Sequence, residues 1–275
     1  MKKLRRSARL VDMTQYLLAH PHTLIPLTFF SEEYGSAKSS ISEDLSIIKE
    51  AFEEQGIGVL KTVAGAAGGV KYIPQLGLKQ AEQFMHGLLE QLAKPERLLP
   101  GGYLYMSDIL GDPGTLQLIG KLFATVFADK EADVVMTVET KGIPLAYATA
   151  AYLNKPVVIV RRDNKVTEGS VVSINYVSGS SKRIQTMSLA RRALAEQSRV
   201  LIVDDFMKAG GTVRGMIDLL QEFRATVVGC GVLVETADVS ERLVDEYISL
   251  AKLQEVDLKE KQIALELGSY FTVEG

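Results

Sequence analysis

Cysteine is almost missing from these 275 residues: Cys230 stands alone, so neither an intramolecular disulfide nor a thiolate cluster for zinc can form. It lies in the apolar run 227–234 and reads as a small buried core residue. Histidine is scarce as well. His20 and His22 flank Pro21 in a turn and His86 falls on an expected helix, so no metal site gathers from them. No apolar run approaches the roughly 20 residues that a membrane span needs. Asp12 and Gln15 interrupt the stretch after the basic N-terminus, which makes it a poor signal peptide. A cytoplasmic chain without membrane contact is the expectation. There is no Gly-x-x-x-x-Gly-Lys-Ser/Thr for an NTPase, and the glycines of 65–69 precede a strand-like run rather than a helix, against a dinucleotide fingerprint. Excess charge is lacking too: 31 Lys and Arg stand against 34 Asp and Glu, net −3. That balance excludes coating nucleic acid by bulk charge and leaves the distribution open.

What is present is a chain of 47% hydrophobic and 24% charged residues, ordinary for one large or two smaller domains. Two halves have different grammar. In residues 1–74, Leu10, Val11, Thr14, Leu17 and Leu18 predict a buried stripe on a first helix. A second short helix follows Pro26 and ends at Gly35. Ile41, Leu45, Ile48 and Phe52 place one apolar face on a third. Ser40 and Glu43 have capping-box spacing, although a start near Ser36 fits equally. Two β-prone runs, 57–63 and 70–73, enclose a glycine-rich loop as a hairpin. Three helices and a hairpin make a winged helix-turn-helix pattern. Residues 75–96 then hold a linking helix, near 78–93.

From there to residue 275 the grammar is α/β. The continuous apolar runs 134–138, 157–160 and 200–203 suit strands buried on both faces of a parallel sheet. Helices at 142–153 and 211–223 separate them, as in a doubly wound sheet.

The stretch 200–212 carries the sharpest chemistry. An apolar strand ends in Asp204 and Asp205, and a loop of small residues opens a helix. N–H groups at a helix N-terminus cradle anions, and two carboxylates accept hydrogen bonds from a ribose diol. Local pattern alone fits equally an ordinary βα turn with one Asp capping the helix. The thirteen residues, however, resemble the phosphoribosyl-pyrophosphate signature of type I phosphoribosyltransferases. The resemblance implies that Asp204 and Asp205 face the ribose hydroxyls while Ala209, Gly210, Gly211 and Thr212 cradle the 5′-phosphate. Residues 138–144, with Thr140, Lys141 and Gly142, look like the pyrophosphate loop of that family. Residues 161–187 resemble its long flexible hood, where Arg161 or Arg162 reaches phosphate or is merely solvated. The pattern is also broken: Phe206 and Lys208 stand where many active transferases carry small hydroxyl residues. Lys208 adds charge beside the phosphates, and Phe206 either stacks on a base or enters the core. Loss of transferase activity is therefore expected, with no catalytic residue assigned.

Cations concentrate at the other end. Lys2, Lys3, Arg5, Arg6 and Arg9 fall within nine residues without an acid, either as a frayed solubilising terminus or, beside a winged helix, as phosphate contacts. Lys38, Ser39, Ser40 and Ser42 open the third helix, where a recognition helix meets the major groove. Lys61 and Lys71 flank the hairpin loop within reach of backbone phosphates.

The domain order, length and loop motifs together resemble the purine operon repressors of Gram-positive bacteria, over essentially the whole chain. That resemblance implies a homodimer on double-stranded operator DNA of purine synthesis and transport genes. Its effector would be phosphoribosyl pyrophosphate, with Mg2+ and without any required cofactor; guanosine tetraphosphate would compete for the same cleft. A purine phosphoribosyltransferase with an N-terminal interaction domain is the alternative.

Overall fold

A computed structural model describes residues 4–65, 68–163, 168–177, 184–237 and 239–272. Lys2 and Lys3 lie outside them. The chain forms two units, Met1–Gly77 with Tyr152–Asn154, and the remainder.

In the first unit α1 (Arg6–Ala19), β1 (Leu24–Pro26), α2 (Leu27–Tyr34) and α3 (Lys38–Glu54) precede the hairpin β2 (Gly58–Val63) and β3 (Gly69–Pro74). The three strands form an antiparallel sheet in the order β1-β3-β2. Ile41, Leu45, Ile48 and Phe52 are buried as their spacing requires, against Met13, Leu17 and Phe30. The expected stripe on α1 is rotated. Met13 and Leu17 are buried and Leu10 is partly so, whereas Val11 and Leu18 are exposed. Each successive residue turns about 100°, so 10, 13 and 17 share a face that 11 and 18 leave. The N-cap of α3 is Ala37, so Ser40 lies inside the first turn and caps nothing.

The second unit contains α4 (Leu78–Leu92), the small hairpin β4 (Leu98–Leu99) and β5 (Tyr103–Leu104), α5 (Pro113–Val126), β6 (Val134–Val138), α6 (Gly142–Leu153) and β7 (Val157–Val160). There follow β8 (Val171–Val177), β9 (Ile184–Ala190), β10 (Arg199–Met207), α7 (Gly211–Gln221), β11 (Thr226–Thr236), β12 (Ile248–Asp257) and β13 (Gln262–Leu267). The central sheet runs β13-β12-β11-β10-β6-β7, parallel except for β13. After β6 the chain moves outward to β7, then returns to β10 on the other side of β6. The strand order reverses there, which opens a crevice beyond the carboxyl ends of β6 and β10. Cys230 is buried in β11, and burial pushes its thiol up to about 12. Its neighbour Gly231 leaves room for a ring: a Cβ there would sit 2.8 Å from Phe123 of α5.

Within the segment 161–187 expected to form the hood, β8 and β9 pair as an antiparallel hairpin over their full length. Tyr176 and Met187 lie on α7 over Gly215, where a Cβ would come within 2.7 Å of the Met187 methyl. The segments 164–167 and 178–183 lie outside the described residues.

Candidate effector cleft and nucleic-acid interface

The loops after β6 and β10 meet in a cleft of about 1320 Å³ at the reversal of strand order. Asp204 and Asp205 sit on its floor because β10 is paired on both sides through Ile202, with β6 and β11, and stays paired with β11 on to Met207. Asp204 is 4% exposed, and its Oδ1 accepts the Asp205 N–H at 3.0 Å. Burial pushes the carboxyl of Asp204 well up, and the adjacent Asp205 pushes it the same way. Burial raises Asp205 too, opposed by Lys141 and Arg162. A pair of desolvated carboxylates facing open space favours a ligand that donates hydrogen bonds or carries positive charge.

Lys208, Ala209, Gly210, Gly211 and Thr212 line the neighbouring wall. Gly210 adopts φ +87°, a left-handed conformation that glycine tolerates, and forms the N-cap of α7. The helix start therefore lies at the cleft with N–H groups that have no partner within the helix. Phe206 is half-buried and lines the cleft.

Thr140 and Lys141 line the opposite wall. Gly142 lies behind them. A Cβ there would collide with the Thr137 hydroxyl and come within 2.8 Å of Asp204 Oδ1. Its missing side chain serves the close approach of the β6 loop to Asp204. Arg161 requires a correction: it is absent from the lining, and its guanidinium pairs with Glu139 at 3.2 Å and Glu168 at 3.9 Å. Arg162 faces the cleft instead, while its N–H donates to Glu139 at 2.7 Å. Two adjacent residues of an extended chain point opposite ways, so only one of the arginines can face inward.

Two walls had no signal in local pattern. Residues 99–104 of the β4–β5 hairpin and Gln254–Val256 at the end of β12 complete the cleft. Arg97 fixes the base of that hairpin through its two Nη atoms, which donate to the Asp108 carboxylate, each at 2.7 Å. Among the described residues, no group of three or more His, Cys, Asp or Glu gathers to hold a metal.

In the first unit Lys38, Ser39 and Ser42 are exposed and Ser40 half-buried at the start of α3. Lys61 is exposed and faces Lys71 directly across the hairpin. Like charges in that register cost stability by themselves. Arg5 is exposed before α1. Arg9, read as a phosphate contact, is committed internally, and Arg6 is tied to the same acid while staying half exposed. Their Nε atoms donate to the two oxygens of the fully buried Asp44, at 2.9 and 2.6 Å, and Arg9 also donates to Ser36. Arg9 is 11% exposed along its side chain, whereas Arg6 keeps half of its surface. The sequence hid this pair because Asp44 lies 35 residues from Arg9.

Residues 5–74 match the family model described as bacterial purine repressor, N-terminal, and residues 106–267 match the phosphoribosyl transferase domain. The purine biosynthesis transcriptional repressor PurR of Bacillus subtilis is 68% identical over 268 residues, covering 98% of this chain and 94% of that protein. The purine biosynthesis transcriptional activator PurR of Lactococcus lactis is 45% identical, covering 98% of this chain and 99% of its own. Among solved structures, an adenine phosphoribosyltransferase from Thermoanaerobacter pseudethanolicus aligns with TM-score 0.53 at 20% identity. It covers 60% of this chain and 98% of its own, a likeness of fold.

Proposed function

The chain belongs to the bacterial purine repressor family, and on that premise we propose that it is a DNA-binding transcriptional repressor of purine biosynthesis and transport genes, released from its operator by phosphoribosyl pyrophosphate. The observation that carries the effector half is the buried Asp204 with the half-buried Asp205 beside the small-residue loop 208–212 in one cleft. Carboxylates suit the ribose diol, the helix N-terminus suits the 5′-phosphate, and Lys141 with Arg162 offers charge to the diphosphate. A magnesium ion fits here only when shared: one or two carboxylates with the ligand's own phosphate oxygens is its usual protein environment. The ion would neutralise diphosphate charge, and Asp204 and Asp205 are the residues to hold it. Guanosine tetraphosphate offers the same diphosphate chemistry and competes for the cleft. The DNA half rests on Lys38 and the seryl hydroxyls at the start of α3, with Lys61 and Lys71 on the wing, where a phosphate would relieve their mutual repulsion. Two copies of the chain, as a homodimer, would read a two-fold operator.

A metabolite can release DNA only if it binds the DNA-competent and DNA-incompetent states with different affinity. The test is an operator titration at several salt concentrations, with and without phosphoribosyl pyrophosphate. Weaker operator binding with the effector is expected; identical affinities at saturating effector would overturn the reading. Absence of pyrophosphate release with adenine, guanine, hypoxanthine or xanthine separates the regulator from a transferase. Turnover near 1 per second or faster would favour the enzyme.

A further inference from the structure

Arg242 does not line the cleft, yet it grips the loop that does. Its Nη1 donates to the Lys208 carbonyl at 2.7 Å, and its Nη2 donates to the Thr236 carbonyl at 2.8 Å and to Glu235 at 3.1 Å. Glu235 is 6% exposed at the end of β11 and also accepts from Tyr247 at 2.5 Å and Ser249 at 2.6 Å. The Arg242 guanidinium stacks 5.4 Å from the Tyr247 ring. One residue on, the Leu243 N–H donates to the Ala209 carbonyl at 2.9 Å, and Val244 packs under Gly210.

In a trans peptide the carbonyl and the N–H point in opposite directions across one rigid plane. Holding the Lys208 carbonyl away from the cleft therefore turns the Ala209 N–H toward it. The Leu243 bond does the same for the Gly210 N–H. We propose that Arg242, itself oriented by Glu235, is the positioning residue of the phosphate loop, aiming two backbone donors at the 5′-phosphate. A buried ion pair is by itself weak evidence for stability, and an apolar pair would fill the same space. What an apolar pair lacks is a donor for the Lys208 carbonyl. The inference rests on the reading of 208–212 as the 5′-phosphate cradle.

Calorimetric titration of the full chain with ribose 5-phosphate and, separately, with inorganic pyrophosphate tests it. Ribose 5-phosphate probes the loop 208–212, whereas pyrophosphate probes the loop at Lys141. In Arg242→Gln, ribose 5-phosphate should bind about tenfold more weakly, the scale of one charge-assisted hydrogen bond, with pyrophosphate unchanged. Arg242→Lys should recover part of the loss, because an ammonium still reaches the Lys208 carbonyl. Unchanged ribose 5-phosphate affinity in Arg242→Gln, or equal loss of both ligands, overturns the proposal. Should Arg242→Gln not fold, Arg242→Lys must show the same split at smaller size, and its absence there is equally fatal. Failure of the unaltered protein to bind ribose 5-phosphate overturns the cradle reading itself, a distinct result.

Discussion

Asp204 shows how a buried carboxyl on the floor of a cleft works against its own fold. Its carboxyl is raised by burial and by Asp205, so the folded state holds that proton more tightly than the unfolded chain does. Stability from this group is full below the unfolded value near 4 and is lost as pH rises toward the elevated folded value. Asp204→Asn removes the ionisation while keeping the shape. The variant should melt higher than the parent at neutral pH, with the difference vanishing toward pH 4, and should lose its response to phosphoribosyl pyrophosphate. Thermal melts between pH 4 and 8 check the first part and operator titrations the second; a lower melting temperature at neutral pH would contradict the account. Gly142 makes the complementary case. Gly142→Ala forces a methyl between Thr137 and Asp204, so a loss of about 1–3 kcal/mol is expected in a urea melt, together with weakened effector binding. Such a glycine is visible in the sequence as a loop residue, but the atoms it makes room for are not.

Between helices, the decisive contact of the DNA-reading unit is a buried acid clamped by two arginines. Asp44 ties α3 to α1 through Arg6 and Arg9, and Tyr34 at the end of α2 donates to Asp12 of α1 at 2.7 Å. Asp44→Ala strips Arg9 of its partner in a mostly buried position, and a cost of about 3 kcal/mol follows. Calorimetry on the full chain should show the transition of this unit lowered. Lys38 belongs to the other class: exposed at the helix start, it should contribute to DNA affinity and little to stability. Lys38→Ala is expected to leave the melting temperature in place and reduce the salt slope of operator binding by about 1. Arg9→Ala should do the reverse, and a reduced slope with unchanged stability would restore it as a phosphate contact. Helix α3 itself was legible, since Ile41, Leu45, Ile48 and Phe52 repeat with its period. The use of Arg9 was not, because charge clustering along a chain looks the same whether the partner is a nucleic acid or a carboxylate 35 residues away.

For the molecule as a whole, two units with separate cores permit separate responses. A ligand that binds only the folded second unit stabilises it by about 2.7 kcal/mol at a hundredfold excess over its dissociation constant. Phosphoribosyl pyrophosphate should therefore raise the melting transition of the second unit, and the size of any shift in the first unit measures the coupling that release of DNA requires. No shift in either transition would exclude the cleft as the effector site. By itself the sequence determined the two grammars, the strand–loop–helix units and the acidic pair with its glycine loop. These are written in periodicity and in short motifs, which depend on neighbours a few residues apart. The tertiary structure alone decided which arginine faces the cleft, why Gly142 is bare, how the β8–β9 hairpin packs, and that residues 99–104 and 254–256 wall the site. It also brought Arg242 to the Lys208 carbonyl. Those contacts join residues tens of positions apart, and the order of strands in the sheet, which no local pattern encodes, sets which of them meet.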